Sequence, residues 1–475
     1  MILQHIYKPI FNFIYEKITY RIGEKPRNII LITCFFGIFA AQFLSQYIFE
    51  FEGFNRGIRD YLICFFFGIA LIASADRKLE IIKWRKSIYV PYILAGVLIL
   101  IASLDHEMGP AYQAFPIVML TAFICMFYIW GNREDYGILF KCITIAYFVL
   151  CSILFIVSII RYPYYDNILS TYTMDYAPFN ANPNGVAKLF LPGIISGLYL
   201  ASNSKKKKDE IFCLIATSAF TSMVILTKCR AAHIILILLA VCIIIGNLLL
   251  SFKKEKKKIL WKGFLLIIII IVLSASFSYA IMELSGPIND LIFAKNDIET
   301  NISSQEVEIT QSADSEETDR EEIIYARLSS VEQFVSENEL LFKIDEFMSG
   351  RIKIWTVFIQ HMSWRGESEL LFVDTEYAHN QYIELSYKAG IPTGIIYFIF
   401  VASVGIHILI NLFKKERRQP YLYFQLMIYC VFAVISMLDT GVLPFERAFI
   451  FMFYISAAPM FIKKENGPNK KPADN

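Results

Sequence analysis

The sequence predicts an all-α protein, a polytopic transmembrane helical bundle of about twelve spans carrying one large, mostly helical extracytoplasmic loop between spans nine and ten. Three observations lead there. Of 475 residues, 56% are hydrophobic and only 19% charged, where a soluble chain of this length carries nearer ~25% charge. The apolar residues come in blocks rather than in alternation: Leu265 to Leu273 reads LLIIIIIVL, and Ile234 to Leu250 holds a single polar side chain, Asn247. The cations, finally, are sorted by loop. A block must run about 20 residues as a helix to cross ~30 Å of hydrocarbon.

Taken in chain order, the apolar blocks place spans at 28–49, 60–76, 88–104, 112–130, 138–160, 185–202, 210–227, 231–250, 259–282, 388–412, 420–438 and 447–462. Lys and Arg favour the cytoplasmic side of a membrane. With the N-terminus inside, the inside segments hold Lys8, Lys17, Arg21, Lys25 and Arg27, then Arg77 to Lys86, Arg133, Lys205 to Lys208, Lys253 to Lys258, Lys414 to Arg418 and the tail lysines. The short outside loops hold Arg56, Arg59, Arg161, Lys228, Arg230 and Arg447. The alternation is unbroken, so an even number of spans and two cytoplasmic termini are expected. The organisation that follows is spans one to nine over 1–282, an extracytoplasmic loop over 283–387, spans ten to twelve over 388–462 and a cytoplasmic tail over 463–475.

Within the large loop, 295–322 is acidic and lacks aromatics, which predicts disorder. From Ile323 the apolar residues return at helical spacing, predicting two or three helices on the outer membrane face. The smaller outside loop 161–184 is rich in Tyr, Asn and Pro, a composition that suits the membrane interface or a surface for sugar rings. The nine cysteines fall in or at the ends of apolar blocks with no CxxC pair, so they read as small core residues rather than disulfides or metal ligands. No removable signal peptide is expected at the N-terminus. No fixed repeat period is visible, and the two halves share no evident similarity, which weighs against transporter folds built from internal repeats. A net charge of +2 dispersed over loops gives no reason to expect a nucleic-acid partner.

An ionisable group at or inside a span is a functional candidate by default, and the spans are nearly free of them. Four places stand out. Thr227-Lys228-Cys229-Arg230-Ala231 is a turn too short to carry two cations away from the outer surface. Either an anion such as a lipid diphosphate is held there by Arg230 and Lys228, or both side chains snorkel to headgroups. Gly350-Arg351, followed by Trp355, reads as a helix start where a phosphate would be favoured; a surface arginine on an amphipathic helix is the plainer alternative. His379-Asn380 opens the helical run into span ten, and a histidine there can take a proton from a hydroxyl or simply sit at the interface. Glu384 and Lys388 are four apart and pair along that run. Asp439 ends span eleven near Glu446 and Arg447, either orienting a catalytic group or an arginine or capping the span. Asn182-Pro183-Asn184 is first a turn, whose amides Asn182 and Asn184 could also bind sugar hydroxyls. The sequence has no DxD-type metal motif, no glycine-rich phosphate loop and no HExxH, so neither a metal nor a cofactor is expected.

In order and spacing these sites resemble the O-antigen ligase/polymerase superfamily of bacterial membrane glycosyltransferases. The elements are an arginine in a tight external turn (Thr227 to Ala231), a long loop with Gly350-Arg351 and Trp355, then His379-Asn380, Leu385 and Gly390 before the next span, with Asn182-Pro183-Asn184 and Ala187 upstream. Two departures exist: the turn reads Cys229-Arg230-Ala231 where the family has Ser-Arg-Gly, and Gly390 and Gly394 have three residues between them rather than two. The resemblance implies a multi-pass protein of the bacterial cytoplasmic membrane that moves a glycan from an undecaprenyl-diphosphate carrier to an acceptor hydroxyl in surface polysaccharide or capsule synthesis. It implies Arg230 and Arg351 on the diphosphate, His379 as base, Asp439 in support, and Lys228, Asn380, Trp355, Asn182 and Asn184 as substrate-binding residues. The partners implied are the lipid-linked donor, a glycan or lipid acceptor and the bilayer, with a chain-length regulator a further candidate. Polymerase is narrowly preferred over ligase, and a flippase or transporter is the alternative of another class.

Overall fold

The computed structural model describes residues 2–47, 56–105, 110–133, 135–168, 174–180, 182–250, 256–293, 350–367, 378–414, 421–439 and 447–463, with Asn338, Glu339, Phe342, Lys343 and Asp345. The acidic stretch 295–322, most of 323–349, Glu446 and the tail beyond Lys463 lie outside them. All regular elements among the described residues are helices, with two isolated β-bridges. In chain order they are α1 (Ile2–Lys17), α2 (Glu24–Tyr47), α3 (Arg56–Ser74), α4 (Lys86–Asp105), α5 (Pro110–Val118), α6 (Ile124–Gly131), α7 (Tyr136–Arg161), α8 (Pro183–Ser202), α9 (Lys207–Leu226), α10 (Arg230–Leu250) and α11 (Lys256–Phe293). They continue with α12 (Arg351–Gln360), α13 (Gln381–Ala389), α14 (Ile391–Phe413), α15 (Tyr421–Leu438) and α16 (Ala448–Ala457).

Among these residues ten helices are long and apolar enough to cross a membrane, and two shorter apolar stretches, Arg230–Gly246 and Ala448–Phe461, fall where the eighth and twelfth spans are expected. The chain is therefore a multi-pass membrane protein. Two boundaries and one helix interior stand out against the expectations. The ninth crossing runs on as one helix to Phe293. The tenth begins at Ile391 rather than 388, because Gly390 breaks the helix at φ 89°. The fourth contains one π turn, Met119–Phe123, just after Pro116. Pro116 removes a donor from the helical ladder, and the hydroxyls of Tyr92 and Tyr7 donate to Met119 O at 3.0 Å and Thr121 O at 3.3 Å. Carbonyls in a loosened membrane helix need such partners.

Burial separates central from peripheral helices. The span Pro183–Ser202 is 78% buried and Gly263–Phe293 only 11%, so α8 is central and α11 presents its Ile-rich run to lipid. The short α16 is buried at every described position from Phe449 to Ala457, as a helix apolar all round should be. Lipid is as apolar as leucine, so close van der Waals packing holds such helices together. Phe432 stacks on Phe453 at 3.8 Å and Phe127 on Phe461 at 3.9 Å, while the hydroxyls of Tyr397 and Tyr454 meet at 3.0 Å.

The end of the bundle near residues 75–85 is closed by side chains that imitate a β-ladder. Asn12 of α1 accepts from Leu79 N at 2.6 Å and donates to Leu79 O at 3.2 Å. Asn132 accepts from Glu80 N at 2.9 Å and donates to Glu80 O at 3.3 Å. Each amide satisfies both backbone groups of one residue in a segment that is not helical and so has no ladder of its own. The opposite end carries the candidate site.

Candidate functional site

Two short helices, α12 and α13, sit at that end on a small core of their own, made by Val357, Phe358, Ala378 and Tyr387. The Phe358 and Tyr387 rings meet edge-on at 5.0 Å. As the spacing predicts, a helix starts at Arg351, with Gly350 at φ 79° before it. Its first amides are already engaged: the carboxylate of Asp345 accepts from Ile352 N at 2.9 Å and Lys353 N at 3.3 Å. Asp345, which sequence reasoning missed, thus occupies the place at the helix N-terminus expected for a phosphate. Arg351 is left half-buried, with its guanidinium available to the neighbouring helices.

The turn before α13 is built with equal care. Asn380 caps the helix, accepting from Tyr382 N at 3.0 Å and Ile383 N at 3.2 Å, and donates its amide to Met437 O at 3.0 Å on α15. Glu384, fully buried, reaches back to Ala378 N at 2.7 Å and pairs with Lys388 at 2.7 Å. The Glu384–Lys388 pair is the one the i, i+4 spacing predicts, and it also fixes the turn. Trp355 donates its indole N–H to Ala378 O at 2.9 Å, tying α12 to the same turn. Between these anchors His379 is held at φ 49°, a left-handed conformation uncommon for a non-glycine residue. Such strain persists only where surrounding contacts enforce it. Below, Gly390 at φ 89° lies against the Trp364 carbonyl, where a Cβ would come within 2.4 Å, and a Cβ on Gly394 would strike the Ser386 hydroxyl. These two glycines let α13 fold back tightly on α14.

Asp439 at the end of α15 draws the elements together. Its carboxylate takes Arg447 at 3.0 Å, pairs with Lys188 of α8, and lies 3.8 Å from His379 Nδ1. The last distance is too long for a hydrogen bond. Burial first, then the positive charges of Arg351, Lys188 and Arg447, hold the His379 imidazole below its ordinary value. At neutral pH the ring is therefore uncharged and able to accept a proton. Burial also lowers Arg351, with Cys229 acting in the opposite sense, but an arginine starts so far above neutrality that it remains a cation.

The structure thus brings together three residues singled out from sequence, Arg351, His379 and Asp439, and adds Lys188 and Arg447. Arg230 opens α10 as an exposed residue next to Cys229, which is within electrostatic reach of Arg351 and Lys188. Lys228, exposed and at φ 50°, makes the turn. Asn182 caps α8, accepting from Gly185 N at 2.7 Å, and Asn184 is exposed one helical turn before Lys188. The amides of Asn182 and Asn380 and the indole of Trp355 are thus placed first as scaffold. Lys188 corrects the reading of nearly charge-free spans: it is a cation inside the expected sixth span, and that position was itself the available signal.

Beside the cluster lies a small recess lined by Lys188 and Arg447 at its polar side and by Phe39, Phe43, Leu150 and Phe449 at its apolar side. The arrangement sets basic side chains beside an apolar wall and offers a neutral imidazole to a hydroxyl. Among the described residues no His, Cys, Asp or Glu group has the makings of a metal site. Comparison of the sequence with protein-family models and with curated proteins gives no match.

Proposed function

We propose that the chain is a membrane glycosyltransferase of the O-antigen ligase/polymerase type, acting on a glycan carried by undecaprenyl diphosphate. The observation that carries this reading is the meeting of a neutral histidine, a carboxylate and three cations, Arg351, Lys188 and Arg447, at one end of an apolar bundle. The diphosphate is a good leaving group already, and fixed cations stabilise the charge it gains. The acceptor hydroxyl is the weak partner, and His379 removes its proton as it attacks the anomeric carbon from the face opposite the diphosphate. The glycosyl–oxygen bond to phosphate breaks, the carrier leaves as the diphosphate, and configuration inverts. Arg230, on the neighbouring turn, contributes to the same anion.

The sorting of cations by loop supports twelve crossings, both termini in the cytoplasm and the site on the outer face of the cytoplasmic membrane. A polymerase, whose acceptor is a second lipid-linked glycan, is preferred over a ligase. The test is repeat-unit transfer in reconstituted membranes with a lipid-diphosphate oligosaccharide as sole substrate. A ladder of longer lipid-linked glycans, absent with His379→Ala, is the expected result. A product only after addition of a separate acceptor makes the chain a ligase, and no product with any acceptor returns the transporter reading.

A further inference from the structure

The donor site reads as occupied by the protein's own carboxylate. Lys188 and Arg447 share one oxygen of Asp439, and Arg351 stands within electrostatic reach of Lys188 and His379. One carboxylate thus serves two basic side chains at the edge of a low-dielectric bundle, where poorly compensated charge is costly. Lys188 and Arg447 reach the same carboxylate oxygen, from α8 and from the residue before α16, and the same two side chains line the recess. Tyr147, also on its wall, has its hydroxyl engaged with Leu189 O at 2.8 Å. The other oxygen of Asp439 points toward His379 Nδ1 but stops 3.8 Å away.

We infer that Lys188 and Arg447 bind the donor's diphosphate, that Asp439 holds their place in the empty chain, and that the arriving diphosphate displaces the carboxylate toward His379. This rests on the proposed function and adds to it a coupling between donor binding and the base. A dianionic group neutralises the two cations better than one carboxylate does. Once released, Asp439 closes the gap to Nδ1, fixes the proton on that nitrogen and leaves Nε2 to accept the acceptor's proton. The base is then ready only when a donor is present. Asp439 and Lys188 are positioning and binding residues here, whereas His379 alone takes the proton.

The experiment uses the full chain in nanodiscs and three probes without glycan: undecaprenyl diphosphate, undecaprenyl monophosphate and undecaprenol. The native chain should bind the diphosphate most tightly and undecaprenol least. Lys188→Gln and Arg447→Gln should each weaken diphosphate binding by about tenfold or more, whereas Lys188→Arg should retain it. Asp439→Asn should bind it as well as the native chain or better, since the competitor is gone, yet slow transfer by about a hundredfold. Should that variant not fold, the native chain still decides: nitrogen-15 resonances of its histidines, with His379 assigned through His379→Gln, should show Nδ1 becoming the protonated nitrogen on adding undecaprenyl diphosphate and not undecaprenol. Unchanged diphosphate binding in Lys188→Gln, or an Nδ1 signal indifferent to the diphosphate, overturns the inference. Because neither measurement needs glycan transfer, a chain that binds as stated but builds no product fails the proposed function and not the displacement.

Discussion

The two ends of the bundle each bury an arginine cluster and resolve it in opposite ways. At the 75–85 end, Arg133 is 4% exposed and donates to the carbonyls of Ser74 and, at 3.2 Å, of Asp135, with Asp76 at 3.9 Å. Arg27 donates to Ala75 O at 3.2 Å nearby. Backbone carbonyls accept the hydrogen bonds of that shell, with the Asp76 carboxylate at its edge, and backbone dipoles cannot be exchanged for a ligand. At the other end Arg447 and Lys188 share a single side-chain carboxylate beside a recess, with Arg351 in electrostatic reach. Cations satisfied by backbone hold a fold, whereas cations that share one carboxylate are the ones proposed to take a ligand. The contrast lies in what completes each cation, not in how deeply it is placed.

The first way to break the contrast is Arg133→Met. It leaves the Ser74 and Asp135 carbonyls without their donor and should cost about 3–5 kcal/mol, the scale for opening a buried charge network. The expected outcome is a steep loss of folded protein in detergent melts, with transfer per folded molecule unchanged. A stable variant that cannot transfer would erase the distinction between the ends. Second in size is Arg351→Ala, which should lower transfer by about a hundred- to a thousandfold, or ~2.7–4 kcal/mol of transition-state stabilisation, while the melting temperature barely moves. A variant that loses its fold instead would make Arg351 a second Arg133.

Most of the framework was legible before any coordinates, because apolar blocks and loop charges follow from the bilayer and not from tertiary detail. Ten long helices and two short apolar stretches stand where the blocks put them. What escaped was local: the π turn after Pro116, the continuation of α11 to Phe293 and the break at Gly390. At the site, Arg351, His379 and Asp439 were each visible as charged residues at span or helix ends. That His379, Lys188 and Arg447 gather at the Asp439 carboxylate with Arg351 in electrostatic reach was not, since convergence across α8, α12, α13 and α15 is set by long-range packing. Lys188 was hidden by the habit of reading a span as uniformly apolar. Asp345 was hidden because the aspartate that caps α12 lies six residues before the first residue of the helix, farther upstream than a cap is sought.

Two smaller effects sharpen the comparison. The acid limb of transfer at limiting donor, which reports the chain without donor, follows protonation of His379, whose value is held below the ordinary imidazole one by burial and by Arg351, Lys188 and Arg447. Transfer should thus persist on acidification to below the pH at which a free histidine protonates, about 6.5. Arg351→Gln removes one repelling charge, so the ring becomes easier to protonate and the limb of the residual rate moves to higher pH. It should stay short of the free value, since burial and two cations remain. A limb that does not move would place Arg351 outside the electrostatic reach of the base.

The smallest effect is expected of Trp355→Phe. Its indole N–H donates to Ala378 O, next to His379, and is the same kind of bond that fills the Arg133 end, a donor closed on a backbone carbonyl. Losing it should cost about 1 kcal/mol, while the ring's packing beside α12 is largely kept. The bond ties the helix that carries Arg351 to the strained turn that carries His379, so its loss should appear as faster hydrogen exchange across α12 and α13 and a transfer rate lower by about fivefold. Undecaprenyl diphosphate binding should be unchanged, because Lys188 and Arg447 stand on α8 and before α16, away from that tie. If binding weakened along with the rate, the scaffold and the charged cluster would be one unit, and the site end would owe its anion affinity to the same backbone closure that holds the opposite end together.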